Sequence, residues 1–117
     1  MTEFKADPDC VFCGIINHSM ASEIVFEDDS VIVVKDILPK APVHLLVILK
    51  EHVPSIIDLT EAQAPMIGHM ILVAKTLALK QGISETGYKL IFNVGKDANQ
   101  IVKHFHFHML GGKQLPE

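Results

Sequence analysis

In the segment KHFHFHML, Lys103 to Leu110, histidine stands at every second position: His104, His106 and His108. On a β-strand alternate residues share a face, so three imidazoles would line one side while Phe105, Phe107 and Met109 line the other. At ~3.3 Å per residue, neighbouring histidines lie ~7 Å apart along the strand and the outer two ~13 Å apart. One zinc ion with bonds near ~2 Å does not easily gather all three. Two of them could share a metal only if their rings leaned together, leaving the third for another task. Nucleophilic chemistry asks less of the spacing. A neutral imidazole attacks through one ring nitrogen when the other keeps its proton on a backbone carbonyl or another fixed acceptor. A second histidine can then hold the oxygens of a phosphate. A merely polar strand face is a poor explanation for three of the chain's seven histidines falling within five residues.

The second chemical signal is DCVFCG, with Cys10 and Cys13 the only cysteines. Their CxxC spacing suits a reducing compartment better than a disulfide framework does. It is compatible with two half-buried thiols, with a redox pair, or with half of a zinc site that needs two further ligands from elsewhere. No βαβ pattern surrounds it, as a thioredoxin-like motif would require.

These side chains must be carried by a small frame. The 117 residues are about half apolar, with a net charge of −4 and no break in composition, which indicates one domain spanning 1–117, its residues 1–8 a flexible polar lead. The absence of a basic stripe argues against nucleic acid as a partner. A polar, acidic start with no apolar run of 18 argues against a leader or a membrane span, and the expectation is a soluble, cytoplasmic protein. Residues 9 to 18 suit a short helix following Pro8. Strands are expected at 23–27, 31–36, 44–49 and 87–94, and through KHFHFHML. Asp28, Asp29 and Ser30 read as a hairpin turn, and Pro39 and Pro42 keep ILPKAPV irregular, a candidate pocket wall. Thr60 and Gln63 have capping-box spacing. Ile67, Met70, Ile71, Ala74, Leu77 and Ala78 then recur at helical period until Gly82. The far side of that helix carries Leu72, Val73 and Leu79, read first as buried core and second as a dimer interface. Strands around one long helix indicate an α+β fold with an antiparallel sheet of about five strands.

The chain resembles the histidine triad (HIT) superfamily, and within it the Hint branch. The resemblance rests on Asn93, Ala98, Gln100, Val102, His104, His106 and His108, followed by Met109, Leu110 and Gly111. GGKQ after the triad is similar to the Hint ending and not to the proline of the dinucleoside polyphosphate hydrolase branch. IVFEDD, KDILPKAP, HLLVILKEH and GHMILVAK extend the likeness from Cys10 to Gln114.

That resemblance implies a homodimer with one continuous sheet, and a site for a purine nucleoside monophosphate or its phosphoramidates. It gives His106 the place of a nucleophile that carries a nucleotidyl intermediate, with His108 and Asn93 toward phosphate and ribose. Asp36 would bind ribose hydroxyls, His44 and His104 would form the network behind the nucleophile, and Asn99, Gln100, Ile101 and Val102 would belong to the phosphate loop. Val11, Phe12, Ile15, Val34, Ile37 and Leu46 would line the base pocket, although ordinary core packing accounts for them as well. Cys10, Cys13, His52 and His104 would form a closed Cys2His2 set for structural zinc, with no catalytic metal required. His104 then has two competing roles, while His18 and His69 are left to the surface or to packing. Two departures stand out: Ile101 occupies the place of a serine near the leaving group, and Asn99 that of a glycine. The expected activity is cleavage of P–N bonds in purine nucleoside phosphoramidates, adenosine type favoured. Alternatives are a nucleotide-binding adaptor with incidental turnover, a dinucleoside polyphosphate hydrolase, or a zinc hydrolase.

Overall fold

The acidic turn Asp28–Ser30 closes the first hairpin by its own side chain. Oδ1 of Asp28 accepts the backbone N–H of Ser30 at 2.9 Å and of Val31 at 2.8 Å, an Asx arrangement that reverses the chain between β1 (Ile24–Glu27) and β2 (Val31–Lys35). The computed structural model describes Asp7 and residues 9–117. The flexible lead expected over residues 1–8 therefore lies, apart from Asp7, outside the described residues. After the proline loop come β3 (Val43–Leu49), two short 3-10 turns, α2 (Ala64–Lys80), β4 (Tyr88–Ile91) and β5 (His106–Gly111), with α1 (Val11–Ile16) ahead of them all. The sheet is antiparallel throughout, in the order β1-β2-β3-β5-β4.

Strand parity sorts the side chains. Val31 and Val33 of β2, Leu45, Val47 and Leu49 of β3, and Phe107 and Met109 of β5 pack against Met70, Val73, Ala74, Leu77 and Ala78 of α2. Ile32, Val34, Leu46 and Ile48 turn to the opposite face and pack against Phe12 of α1. β3, in the middle of the order and covered on both faces, is accordingly apolar at almost every position. The triad face is thus the α1 face.

α2 begins as expected, with Oγ1 of Thr60 accepting from Ala62 N–H and Oε1 of Gln63 accepting from Thr60 N–H, although its first turn is 3-10. Together with that turn it is as long and apolar as a membrane span by composition. Its packed face identifies it as the core helix of this sheet. The expectation that its far side is also core holds for Val73 and fails for Leu72 and Leu79, which are 60% and 70% exposed. One helix on one sheet face has a single neighbour to pack against. Ile71, from the periodic set, is likewise exposed.

Two strands are shorter than the pattern suggests. The fourth ends at Ile91, the last residue paired with β5, and Phe92 beyond it packs with its ring centroid 4.7 Å from that of Phe107 on the core face. The fifth begins at His106, three residues later than expected. Ahead of it, Phe105 N–H reaches out of the sheet to the carbonyl of Val53 at 2.6 Å, so His104 precedes the strand.

Candidate active site and metal cluster

His106 opens β5 opposite Ile48, and His108 stands opposite Leu46. The Phe12 ring meets His106 edge-on at 4.8 Å, walling the imidazole off from water on that side. Nδ1–H of His106 donates to the carbonyl of His104 at 2.6 Å. With its proton held there, Nε2 bears a lone pair. Burial lowers the affinity of this ring for a second proton, outweighing the opposing pull of that carbonyl and of Asp36, so it is neutral at pH 7.

His44 enters from β3 and its tautomer follows from the loop before it. Nδ1 accepts the backbone N–H of Lys40 at 3.1 Å, so the ring proton of neutral His44 sits on Nε2. That Nε2–H lies 2.9 Å from Nδ1 of His108 and 3.2 Å from Oδ2 of Asp36. Donation to His108 makes its Nδ1 the acceptor and leaves Nε2–H of His108 as a donor. Burial, reinforced by the charges of His106, His44 and Lys40, pushes His108 down to about 4, and burial also lowers His44. The pair can donate a hydrogen bond to an anion. It cannot surrender a net proton, because His44 has no second one to give.

Asp36, Asn93 and Gln100 shape backbone. Oδ1 of Asp36 accepts from Leu38 N–H at 2.8 Å, tying down the start of the proline loop, while Oδ2 faces His44. Nδ2 of Asn93 donates to the Ala98 carbonyl at 2.9 Å. Gln100 accepts from Gly95 N–H through Oε1 and donates through Nε2 to the Pro54 and Val102 carbonyls. Within this loop Asn99 has φ 59° and ψ 39°, the left-handed region that asparagine tolerates better than most residues, so it can stand where the family resemblance leads one to expect glycine. Ile101 is 90% exposed. Of the apolar set, Phe12, Val34 and Leu46 lie together in the cluster under the histidines, with Ile15 and Val102 against its edge. Val11 is partly exposed, and Ile37, at 88%, stands clear of that cluster. Sequence reasoning missed Ile32 and Ile48, which share the parity of Val34 and Leu46, and the Lys40 N–H, for which no side-chain signal exists.

The ring of His104 turns the other way. Its Nε2–H donates to the carbonyl of Leu49 at 2.6 Å, so Nδ1 is the free lone pair and points at Cys10, Cys13 and His52. Cys10 Sγ and Cys13 Sγ lie 3.4 and 3.6 Å from that Nδ1, Cys13 Sγ lies 3.3 Å from His52 Nδ1, and the two Nδ1 atoms are 3.0 Å apart. A tetrahedral ion bonded at ~2.3 Å to sulfur and ~2.0 Å to nitrogen spreads its ligand atoms ~3.3 to ~3.8 Å apart. The four atoms therefore fit a zinc ion with little movement. Burial raises the Cys13 thiol, against the pull of Asp7 N–H, so a buried thiolate there calls for a cation. Asp36, His44 and His108 also bring ligand atoms within 4.8 Å of one another. Nε2 of His44 is protonated as long as Lys40 N–H holds Nδ1, so this second group is poorly suited to a metal. His18 and His69 sit at the surface on Glu27 and Asp28.

Residues 9–115 match the family described as scavenger mRNA decapping enzyme C-term binding. The purine nucleoside phosphoramidase of Escherichia coli K12 is 40% identical over 105 residues, 90% of this chain and 88% of that one. Among solved structures, a histidine triad protein from Clostridium difficile superposes with a TM-score of 0.93 at 40% identity, covering 97% of this chain and 98% of that one. A Zn-bound histidine triad family protein from Mycobacterium smegmatis gives 0.77 at 26% identity, over 90% of this chain and 76% of that one.

Proposed function

This chain belongs to the histidine triad (HIT) family and is a hydrolase of it; from that premise we propose that it is a Hint-like enzyme cleaving P–N bonds of purine nucleoside 5′-phosphoramidates, adenosine type favoured, through nucleotidylated His106. The observation that carries this is the bond from His106 Nδ1–H to the His104 carbonyl, which leaves Nε2 unprotonated and neutral at pH 7. Nε2 attacks phosphorus, the Nε2–P bond forms as the P–N bond breaks, and the amine departs with a proton. Water then attacks phosphorus and breaks the Nε2–P bond, returning neutral His106 and the nucleoside monophosphate.

His108, through its Nε2–H, stabilises the non-bridging oxygens as charge builds on them. Since the His44–His108 pair has no net proton to release, the proton on the leaving amine comes from water, to which the loop at Ile101 is open. Asp36 is in reach of His44 and its charge favours protons on the neighbouring histidines. In this reading the same carboxylate binds ribose. Phe12, Val34 and Leu46 present the apolar floor for the base.

Cys10, Cys13, His52 and His104 would together hold a zinc ion through four protein ligands, a set that would stabilise the fold and would not activate water. A homodimer, joined along the free edge of β4 and covering Leu72 and Leu79, fits the exposed apolar side of α2.

Incubation with adenosine 5′-phosphoramidate followed by intact-protein mass analysis tests the reading. An added adenylyl mass that decays as adenosine monophosphate accumulates is expected. Neither adduct nor product under single-turnover conditions refutes it.

A further inference from the structure

We propose that Gln100 is a positioning residue: its side-chain amide ties the loop of residues 95–102 to Val53–Pro54, the same two-residue segment that orients the reactive histidine. The inference rests on the hydrolase reading above, in which residues 99–102 face the phosphate, and it gives Gln100 a task other than touching the nucleotide.

The loop closes on itself at its neck. The backbone N–H of Gln100 donates to the Gly95 carbonyl at 3.1 Å, and Gly95 N–H donates to Oε1 of Gln100 at 3.0 Å. Between them lie the 3-10 turn Lys96–Ala98 and the left-handed Asn99. Nδ2 of Asn93 braces that turn by donating to the Ala98 carbonyl. These bonds give the loop its shape, but none of them fixes where it stands against the sheet. Among the described residues a single hydrogen bond leaves the stretch 93–103, from Nε2 of Gln100 to the Pro54 carbonyl at 2.7 Å. The other N–H of Nε2 donates to the Val102 carbonyl at 3.2 Å, so both donors and the acceptor of this amide are in use. The backbone N–H groups of Ile101 and Val102 have no partner among the described residues and are donors the loop can offer to phosphate oxygens.

Pro54 is a useful anchor because of what precedes it. The Val53 carbonyl accepts Phe105 N–H at 2.6 Å. That N–H and the His104 carbonyl belong to one planar peptide, so holding the first sets the direction of the second, which accepts Nδ1–H of His106 at 2.6 Å. The proline ring locks its own φ and restricts Val53 before it, which keeps the two adjacent carbonyls at a fixed angle. Val53 and Ser55 are both buried, and Oγ of Ser55 accepts Ile57 N–H, so the segment is held on either side of Pro54. One carbonyl thus orients the His106 ring, and its neighbour holds the loop. Attack on phosphorus needs the two at a set separation, and a misplacement of ~1 Å can cost ~100-fold in rate. Without the Gln100 bond the loop keeps its internal shape but loses its reference to the nucleophile.

The test uses the full-length protein and two variants. Gln100→Glu keeps the acceptor for Gly95 N–H and replaces both donors by an oxygen, whereas Gln100→Met keeps the length of the side chain and removes all three bonds. The methionine carries no charge, so a loss shared by both variants is not a charge effect. Readouts are single-turnover nucleotidylation by adenosine 5′-phosphoramidate, calorimetric affinities for adenosine monophosphate and for adenosine, and the melting temperature. Both variants should fold and nucleotidylate roughly ten- to a hundredfold more slowly than wild type. Affinity for the monophosphate should fall by no more than about threefold, because a loosened loop can follow a ground-state phosphate. Affinity for adenosine, which has no phosphate, should not change. A folded variant with a rate within about twofold of wild type overturns the proposal. So does an adenosine affinity that falls in step with the rate, the mark of a site loosened as a whole. Failure of both variants to fold overturns it as well, since Gln100 would then hold the fold and not the loop. A wild-type chain that forms no nucleotidyl adduct sinks the hydrolase reading and this proposal with it; a wild-type chain that forms the adduct no faster than the variants sinks this proposal alone.

Discussion

Acid should unfold this protein through His108. Burial holds that ring at about 4 in the folded chain, against an ordinary value of ~6.5 in the unfolded one. Between these two values the unfolded state binds more protons. Stability is therefore fully present above pH ~6.5 and is lost as pH falls toward ~4, where the loss levels off. The full shift would correspond to ~3 kcal/mol, and by pH 5 about 2 kcal/mol of it is already forfeited. His108 is only half-buried, so screening by water trims the expected loss between pH 7 and pH 5 to about 1 to 2 kcal/mol. Urea unfolding at both pH values, with zinc at saturation, measures it. Glu27 and Asp28 are held below their ordinary values, and they lose their contribution as pH falls in the same direction. The His108→Asn variant isolates the term, since these groups and the metal ligands remain in both proteins. The variant should be less stable at pH 7, having lost the bond to His44, yet its stability should fall by about 1 to 2 kcal/mol less on going to pH 5. Parallel pH profiles for the two proteins would refute the reasoning and mean that water or Asp36 already lets the buried ring take its proton at no cost.

His106→Asn should keep the fold and bind adenosine monophosphate, since the substitution leaves Phe105, Phe107 and the α2 face untouched, while adduct formation should disappear; calorimetric binding and intact mass read the two effects. Ile101→Ser should leave the urea midpoint within ~0.5 kcal/mol of stability because the side chain is 90% exposed. It should also raise turnover of unactivated phosphoramidates roughly tenfold by adding a hydrogen-bond donor near the leaving nitrogen, with little gain for activated leaving groups; equal effects on both would show that the hydroxyl does not reach that atom. Metal analysis should find about one zinc per chain, and chelation should lower the melting temperature by several degrees.

Local pattern was enough for much of the frame. Alternation in KHFHFHML puts His106 and His108 on one sheet face and Phe107 and Met109 on the other, because a strand's side-chain period is two whatever lies beside it; that His44 shares the histidine face follows from the register of β3 on β5. The Asp28 turn and the Thr60–Gln63 cap act within a few residues of chain, and both stand as read. Resemblance supplied the pairing of CxxC with His52 and His104, which spacing by itself left open.

Other features belong to contacts between distant segments. Cys10 and His104, 94 residues apart, meet only after β3 and β5 have paired. The start of β5 at His106 depends on Val53 capturing Phe105 N–H, and no strand propensity encodes that competition. The tautomers of His44 and His106 are set by backbone groups of Lys40 and His104, whose direction exists only once the loops are folded. The exposed Leu72 and Leu79 share a periodic, apolar helix with buried Leu77; the sequence determined that α2 would be apolar on several sides, and the position of one sheet decided which side is covered, since burial is a property of neighbours.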